Sequence, residues 1–348
     1  MNDQSITSVT DDSDYLATIS PKDKWWDEKH AETLQIADVY AQTELPQYAL
    51  RMRDCSRYLS FRLKVGEDGE KNFKLDGAKF CRCRFCPTCQ SRRSSKWVAR
   101  SKKAFPLILQ DYPNYKFAFL TLTTKNCPLD ELRQTIKHMN ESWSRLTKLK
   151  QWPVVGFMKS IEVTRSKDGL AHPHIHVILM FKPSYFSGKT YLSQAKWTDL
   201  WQKCLRVDYT PIVNIKVIKP AKGENPSSYI ELIESAIVEC VKYSVKPDDF
   251  QGVRPENQLT NSQWLEGITE QLLKTRAISL GGIIKDYMSE EEPEDLINIE
   301  EDEPEQQDYV LDQYIFAWHY ALRRYVLFAR KASLITVQLS DSPDPHTE

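Results

Sequence analysis

Ala171-His172-Pro173-His174-Ile175-His176-Val177-Ile178-Leu179 places an imidazole at every second residue of an apolar run in this 348-residue chain. Successive side chains of a strand point to opposite faces, so His172, His174 and His176 share one surface while Ile175, Val177 and Leu179 point toward a core. Neutral imidazoles on one face suit zinc, manganese and related divalent ions, but one strand does not close a site, so further donors must come from elsewhere. The alternative at this point is the polar outer face of an ordinary strand.

Upstream, Val155 to Thr164 is rich in strand formers and Arg165-Ser166-Lys167-Asp168-Gly169 carries a turn signal, which predicts a hairpin with the His run. If Glu162 stands across the ladder from His174 or His176, all three side chains share a face and the carboxylate becomes a third ligand. A slip of one residue sends it to the opposite face and leaves it a solvated strand residue.

Around this hairpin, Tyr115 to Thr124 has the content of a buried strand, and Pro128-Leu129-Asp130-Glu131 opens a helix to about 147. Leu192 to Leu205 predicts a helix holding Trp197 and Trp201, and Val213 to Val217 alternates as a strand. Pro226-Ser227-Ser228 offers cap chemistry for a helix to about Val245, stopped by Pro247. Its apolar stripe is Ile230, Ile233, Ile237, Cys240 and Val241; Glu239, Tyr243 and Lys246 fall at i, i+4 and i+7 on another face. A helical pattern covers about 30 to 63 and Asn257 to Lys274, Gly281-Gly282 interrupts it, and Tyr309 to Ala332 reads as a terminal helix rich in aromatics.

Four of the eight cysteines crowd into Cys81-Arg82-Cys83-Arg84-Phe85-Cys86-Pro87-Thr88-Cys89. Thiolates bind zinc tetrahedrally, and the Cys86-x-x-Cys89 knuckle supplies two adjacent corners. Cys81 and the distant Cys55 are expected to close the set, with Cys83 as the competing fourth ligand; thiols without metal are the alternative. Such a closed site holds structure. From Cys81 to Lys103 there are eight basic residues and no acid. A basic helix carrying Arg92, Arg93, Lys96, Arg100, Lys102 and Lys103, with Trp97 among them, is expected to contact a phosphate backbone, or else to be a solvated face.

The formal net charge of −1 averages unlike regions: Asp286 to Asp308 holds twelve acids and no Lys or Arg, so the remainder carries +11. A basic body with an acidic belt fits a polyanion partner, and the belt could occupy the basic surface until that partner displaces it. No apolar run approaches membrane-spanning length, and Met1-Asn2-Asp3-Gln4-Ser5 lacks a basic start and an apolar stretch, so no membrane association and a cytoplasmic location are expected. Cysteines there are thiols or metal ligands. The domain reading is a disordered lead-in at 1–24, a helical region with knuckle and basic helix at 25–110, a core carrying the His hairpin at 111–285, an acidic linker at 286–308, and a helix and tail at 309–348.

From about Arg51 to Lys246 the order of four motifs resembles the rolling-circle plasmid replication initiators of the HUH endonuclease superfamily. They are the knuckle, the strand Phe119-Leu120-Thr121-Leu122-Thr123, His172-Pro173-His174-Ile175-His176-Val177, and Glu239-Cys240-Val241-Lys242-Tyr243-Ser244-Val245-Lys246-Pro247. The resemblance implies an α+β fold, an HUH-type antiparallel sheet flanked by helices with a zinc-binding N-terminal region. His174 and His176 would be the HUH pair, with Glu162 as third ligand of a catalytic Mn2+ or Mg2+ and Zn2+ kept in the knuckle. Tyr243 would be the nucleophile of a site-specific single-strand nickase and strand transferase. Glu239, at the spacing of the single-tyrosine branch, would activate water to end the cycle, and Lys246 and Lys242 would contact the scissile phosphate or steady the phenolate. Implied partners are plasmid origin DNA, single-stranded or hairpin, and host helicase and DNA polymerase; a dimer is compatible with the sequence. A transposase or relaxase with the same chemistry, or a noncatalytic zinc-dependent DNA-binding regulator, are the alternatives. Cys83 is an extra thiol in the knuckle, and the twelve-residue gap from Glu162 to His174 is longer than in some HUH branches.

Overall fold

In the computed structural model, which describes residues 12–65, 71–188, 190–219, 227–241, 247–250, 252–288, 295–297 and 309–332, the His run is the central strand of a five-stranded antiparallel sheet. In chain order the helices are α1 (Leu16–Ile19), α2 (Trp25–Tyr40), α3 (Pro46–Arg53), α4 (Pro87–Asp111), α5 (Leu132–Thr147), α6 (Ser184–Ser187), α7 (Gln194–Leu205), α8 (Ser227–Val241), α9 (Asn261–Gln271) and α10 (Ile283–Tyr287). The strands are β1 (Tyr58–Val65), β2 (Lys71–Ala78), β3 (Lys116–Thr123), β4 (Val154–Arg165), β5 (Ala171–Phe181), β6 (Val213–Ile218), β7 (Ile278–Gly282), β8 (Tyr309–His319) and β9 (Arg324–Ala332). The α+β class expected from the sequence is the class observed. The chain divides into two compact units: one of Met1–Glu28, Cys55–Lys79 and Glu301–Glu348, the other of Lys29–Asp54 and Phe80–Glu300.

The larger unit carries the sheet in the order β6-β3-β5-β4-β7. The β4–β5 hairpin closes through the predicted turn, where the Ser166 amide donates to the Leu170 carbonyl (2.9 Å) and Gly169 takes φ +81°, a conformation costly for a residue with a Cβ. Ile175, Val177 and Leu179 are buried on one face, where Trp143 of α5 stands edge-on to Phe157, the residue opposite Leu179. The face of the histidines continues through Ile178 and Met180 into a second core layer built with Trp97, Phe105 and Ile108 of α4 and Ile233, Ile237, Cys240 and Val241 of α8. Four of the five stripe residues predicted for α8 are thus buried, and Ile230 is half-buried. A fully buried side chain of this size contributes about 1.5–3 kcal/mol relative to leaving it exposed, so both faces of β5 are strongly anchored. α9 begins at a capping box between Thr260 and Gln263, and the Gly281-Gly282 pair ends β7, with Gly282 at φ +56°.

The smaller unit departs from the sequence expectation. Residues 30–63 are not one helical stretch: the chain turns at Ser56 (φ +52°) and Tyr58–Val65 is a strand whose Leu59, Phe61 and Leu63 are buried at alternate positions. That alternation is present in the sequence and is the signal overlooked. The terminal helix expected over 309–332 is the hairpin β8–β9, completing a sheet in the order β2-β1-β8-β9. Its turn holds Arg323 at φ +53°, with the Arg323 amide donating to the His319 carbonyl (2.8 Å). No Gly, Asn or Pro marks that turn, so Tyr-, Val- and Phe-rich strands either side of Ala321-Leu322 read as one helix. Described structure begins at residue 12 rather than near Trp25: Leu16 is buried and Tyr15 bridges Val326. Of the acidic belt, 286–288 and 295–297 alone lie within the described residues.

Candidate active site

The register that decides Glu162 is the favourable one: Glu162 pairs with His174, Ser160 with His176 and Thr164 with His172. All of these side chains therefore share a face. The Nε2 atoms of His174 and His176 lie 3.0 and 2.8 Å from one and the same oxygen of Glu162, and the ligand atoms of all three residues lie within 4.8 Å of one another. Burial by itself would raise the Glu162 carboxyl; hydrogen bonds from His174 and His176 and their charge outweigh it and hold the group below the ordinary carboxylate range.

The donor set fits a divalent ion. His176 Nδ1 lies 3.3 Å from the hydroxyl of Thr121, its partner on β3, a contact that orients the ring with Nε2 toward the Glu162 carboxylate. His174 Nδ1 is buried without a hydrogen-bond partner among the described residues. His172 is turned to other use: its Nδ1 lies 2.6 Å from Asn126 Oδ1, and burial, with the neighbouring His174, lowers its pKa. Three protein donors are one fewer than a closed structural site takes.

A second candidate metal group is closed. The thiols of Cys55, Cys81, Cys86 and Cys89 lie within 4.8 Å of one another and all are buried. Cys81 and Cys89 sulfurs are 3.6 Å apart, close to the edge of about 3.8 Å that a tetrahedron with Zn–S bonds of 2.3 Å requires. The Arg82 amide donates to Cys89 Sγ (3.3 Å) and the Cys83 amide to Cys81 Sγ (3.5 Å), contacts that favour thiolates. Cys55, not Cys83, stands in the fourth place; the Cys83 thiol instead reaches the Cys81 carbonyl (3.7 Å). The knuckle backbone is pinned from outside, because Arg51 donates to the Cys81 carbonyl (2.5 Å), Arg93 to those of Arg82 and Cys83 (2.9 and 3.4 Å) and Gln90 to that of Arg84 (2.6 Å).

The basic helix requires correction. Arg92 and Lys96 are buried, and Arg92 donates to the carbonyls of Leu296 and Ile297 (2.7 and 2.8 Å), so neither forms the expected phosphate surface. Both fall on the stripe of Cys89, Trp97, Phe105 and Ile108, and applying the helical period to the cations as well as to the apolar residues would have placed them there. Arg93 is half-buried against the knuckle. Arg100 lies over the Trp97 ring (5.3 Å), while Lys102, 3.7 Å from Glu234, and Lys103 are exposed.

Glu239 is exposed on α8. Tyr243 and Lys246 lie outside the described residues. The helix that precedes them, α8, is fixed against the histidine face: Cys240 Sγ lies 3.5 Å from Ser160 Oγ and 3.7 Å from the His176 carbonyl, and Ser94 of α4 donates to the Val241 carbonyl (2.8 Å). Lys159, not singled out in the sequence, is buried on the apolar face opposite the histidines, bound to Asn140 Oδ1 (2.6 Å), and burial lowers its pKa to about 8.

This is an α+β protein whose sheet presents a Glu-His-His group and which carries a four-cysteine group at the start of a long basic helix, two groups that could each hold a metal ion. Residues 72–326 match the family model Rep_1, described as Replication protein, and the chain belongs to that family. It is 32% identical over 317 residues to "Protein rep" of Lentilactobacillus hilgardii, covering 88% of this chain and 96% of that one. It is 33% identical over 297 residues to "Protein rep" of Streptococcus pneumoniae serotype 2 (82% and 86%), and 31% identical over 238 to "Replication protein" of Staphylococcus aureus (66% and 97%). No solved structure matches the chain. No helix among the described residues is long and apolar enough to cross a membrane.

Proposed function

We propose that the chain initiates rolling-circle replication of a plasmid in the cytoplasm by nicking one strand of the origin through tyrosine transesterification. The observation that carries this reading is the convergence of Glu162, His174 and His176 on the sheet face against which α8 ends, two residues before Tyr243. A Mn2+ or Mg2+ ion bound there would polarise a phosphate oxygen and offset the charge that builds at phosphorus.

Tyr243 then attacks through its phenolic oxygen. The new bond is O(Tyr)–P, the bond to the 3′ oxygen breaks, and that oxygen takes up a proton, leaving a free 3′ hydroxyl and a 5′-phosphotyrosine. The ester keeps the energy of the broken phosphodiester, so the strand can later be transferred and rejoined. Glu239, four residues before Tyr243 in sequence, acts as general base on water in the final cleavage, and Lys246 steadies the scissile phosphate. The freed 3′ end would be extended by a host DNA polymerase while a host helicase unwinds the duplex. Zn2+ in the group of Cys55, Cys81, Cys86 and Cys89 would hold the fold of the knuckle and take no part in the chemistry.

The test is incubation of wild type and Tyr243→Phe with labelled single-stranded origin DNA and Mn2+, followed by a denaturing gel. A covalent adduct that needs Mn2+ and disappears in the variant is expected. Equal adduct in Tyr243→Phe removes that residue from the role, and none with any origin or metal points to a noncatalytic DNA-binding regulator.

A further inference from the structure

Beside the Glu-His-His group lies a cavity of about 630 Å3 that the reaction above does not use. Its charged lining is Arg51, Arg82, Arg84, Arg93, Lys274 and Arg276, with no Asp or Glu among the described residues that line it. Its place in the fold is informative. Ser160 lines it, and Ser160 is the next residue but one to Glu162 on the same face of β4 and pairs across the ladder with His176. Two residues of strand span about 7 Å, the scale of one nucleotide step in an extended single strand. Ser94 and Val241, hydrogen-bonded to each other at the end of α8, form another part of the wall.

Inside it the structure builds a stacking platform. Tyr40 and Tyr48 are stacked at 5.2 Å between ring centroids with 17° between planes, and the Tyr40 hydroxyl is fixed by Thr269 (2.7 Å). The guanidinium of Arg51 lies over the Tyr48 ring (5.7 Å) and is oriented by its bond to the Cys81 carbonyl. The stack therefore ends in an exposed planar cation, a surface on which an unpaired base lies well. Arg82 and Lys274, both exposed and at positive φ, stand at the same cavity as phosphate partners. A base inside a duplex is already stacked and paired and has no face to offer this platform.

We propose that this cavity takes one unpaired nucleotide of single-stranded DNA next to the phosphate that is cut, its base on the Arg51–Tyr48 platform and its phosphate between Arg82 and Lys274. The assignment rests on the reading that this chain acts on a single strand. It gives the cysteine group a use beyond stability, since the loop held between Cys81 and Cys86 supplies Arg82 and Arg84 to the wall of the cavity.

The experiment reads binding alone, in full-length zinc-loaded protein carrying Tyr243→Phe, so that its outcome is independent of whether Tyr243 cleaves. The probe is a labelled oligothymidylate of about 12 nucleotides, followed by fluorescence anisotropy across a salt series, with a duplex of equal length alongside. Tyr48→Leu should weaken single-strand binding about tenfold and leave duplex binding unchanged, while Tyr48→Phe, which keeps the ring, should bind as the parent does. Arg82→Gln and Lys274→Gln should each lower the salt slope by about one. The lysine variant touches neither the knuckle nor the tyrosine stack, so it reports even if Tyr48→Leu does not fold. Single-strand affinities and salt slopes all equal to the parent's, or equal losses on single strand and duplex, would overturn the proposal.

Discussion

Lys159 shows how far one side chain can run against its surroundings. It stands on the apolar face of β4, paired with Val177, and its ammonium has Asn140 and the nearby Trp143 ring for company, with no carboxylate partner among the described residues. Burial lowers its pKa from 10.5 to about 8, so between those values the unfolded chain binds the proton that the folded one has shed. Stability from this group therefore rises with pH through that window, and below about pH 8 the cost of burying the charge is present in full. Lys159→Met should stabilise the protein at pH 7 by about 2 kcal/mol, allowing for the lost bond to Asn140, and the gain should shrink toward pH 10. Urea melts at the two pH values check this; a gain that does not depend on pH would mean the charge is not the cause.

At the scale of elements, the β4–β5 hairpin and the cysteine loop differ in what made them legible. The hairpin was readable because alternation, turn residues and ligand chemistry agree, and only the register of Glu162 remained to be settled by the ladder. In the cysteine loop the spacing located the thiols, but not which four meet: Cys83 is close in sequence, whereas Cys55 is brought in by the chain that follows α3. Cys55→Ser should therefore lose stoichiometric zinc and Cys83→Ser should keep it, as metal analysis of the purified variants would read; the reverse result would exchange the two residues. The helix α4 was legible as a helix but not as to which cations face water, because Arg92 finds its partners in Leu296 and Ile297, two hundred residues away.

For the whole molecule, the separation of a +11 body from an acidic belt bears on DNA affinity. The belt is anchored: Met288 joins the core beside α10, Leu296 is buried, and Arg92 holds the carbonyls of Leu296 and Ile297. Deleting it would strip those anchors, so its charge is better tested by replacing Glu300, Glu301, Asp302, Glu303 and Glu305 with amides. Nonspecific duplex binding at low salt should tighten several-fold and converge with wild type as salt rises; identical titrations would dismiss the belt as a competitor for the basic surface. The sequence by itself determined the class of fold, the His-bearing strand and the crowded thiols, because period, turn chemistry and ligand spacing are local properties of a chain. Only the tertiary structure decided that Glu162 faces both histidines, that Cys55 displaces Cys83, that Tyr309–Ala332 is a hairpin and that Arg92 and Lys96 are interior. Each of these depends on a partner distant along the chain or on an unmarked turn, and the energy that selects it exists only once the two segments are packed together.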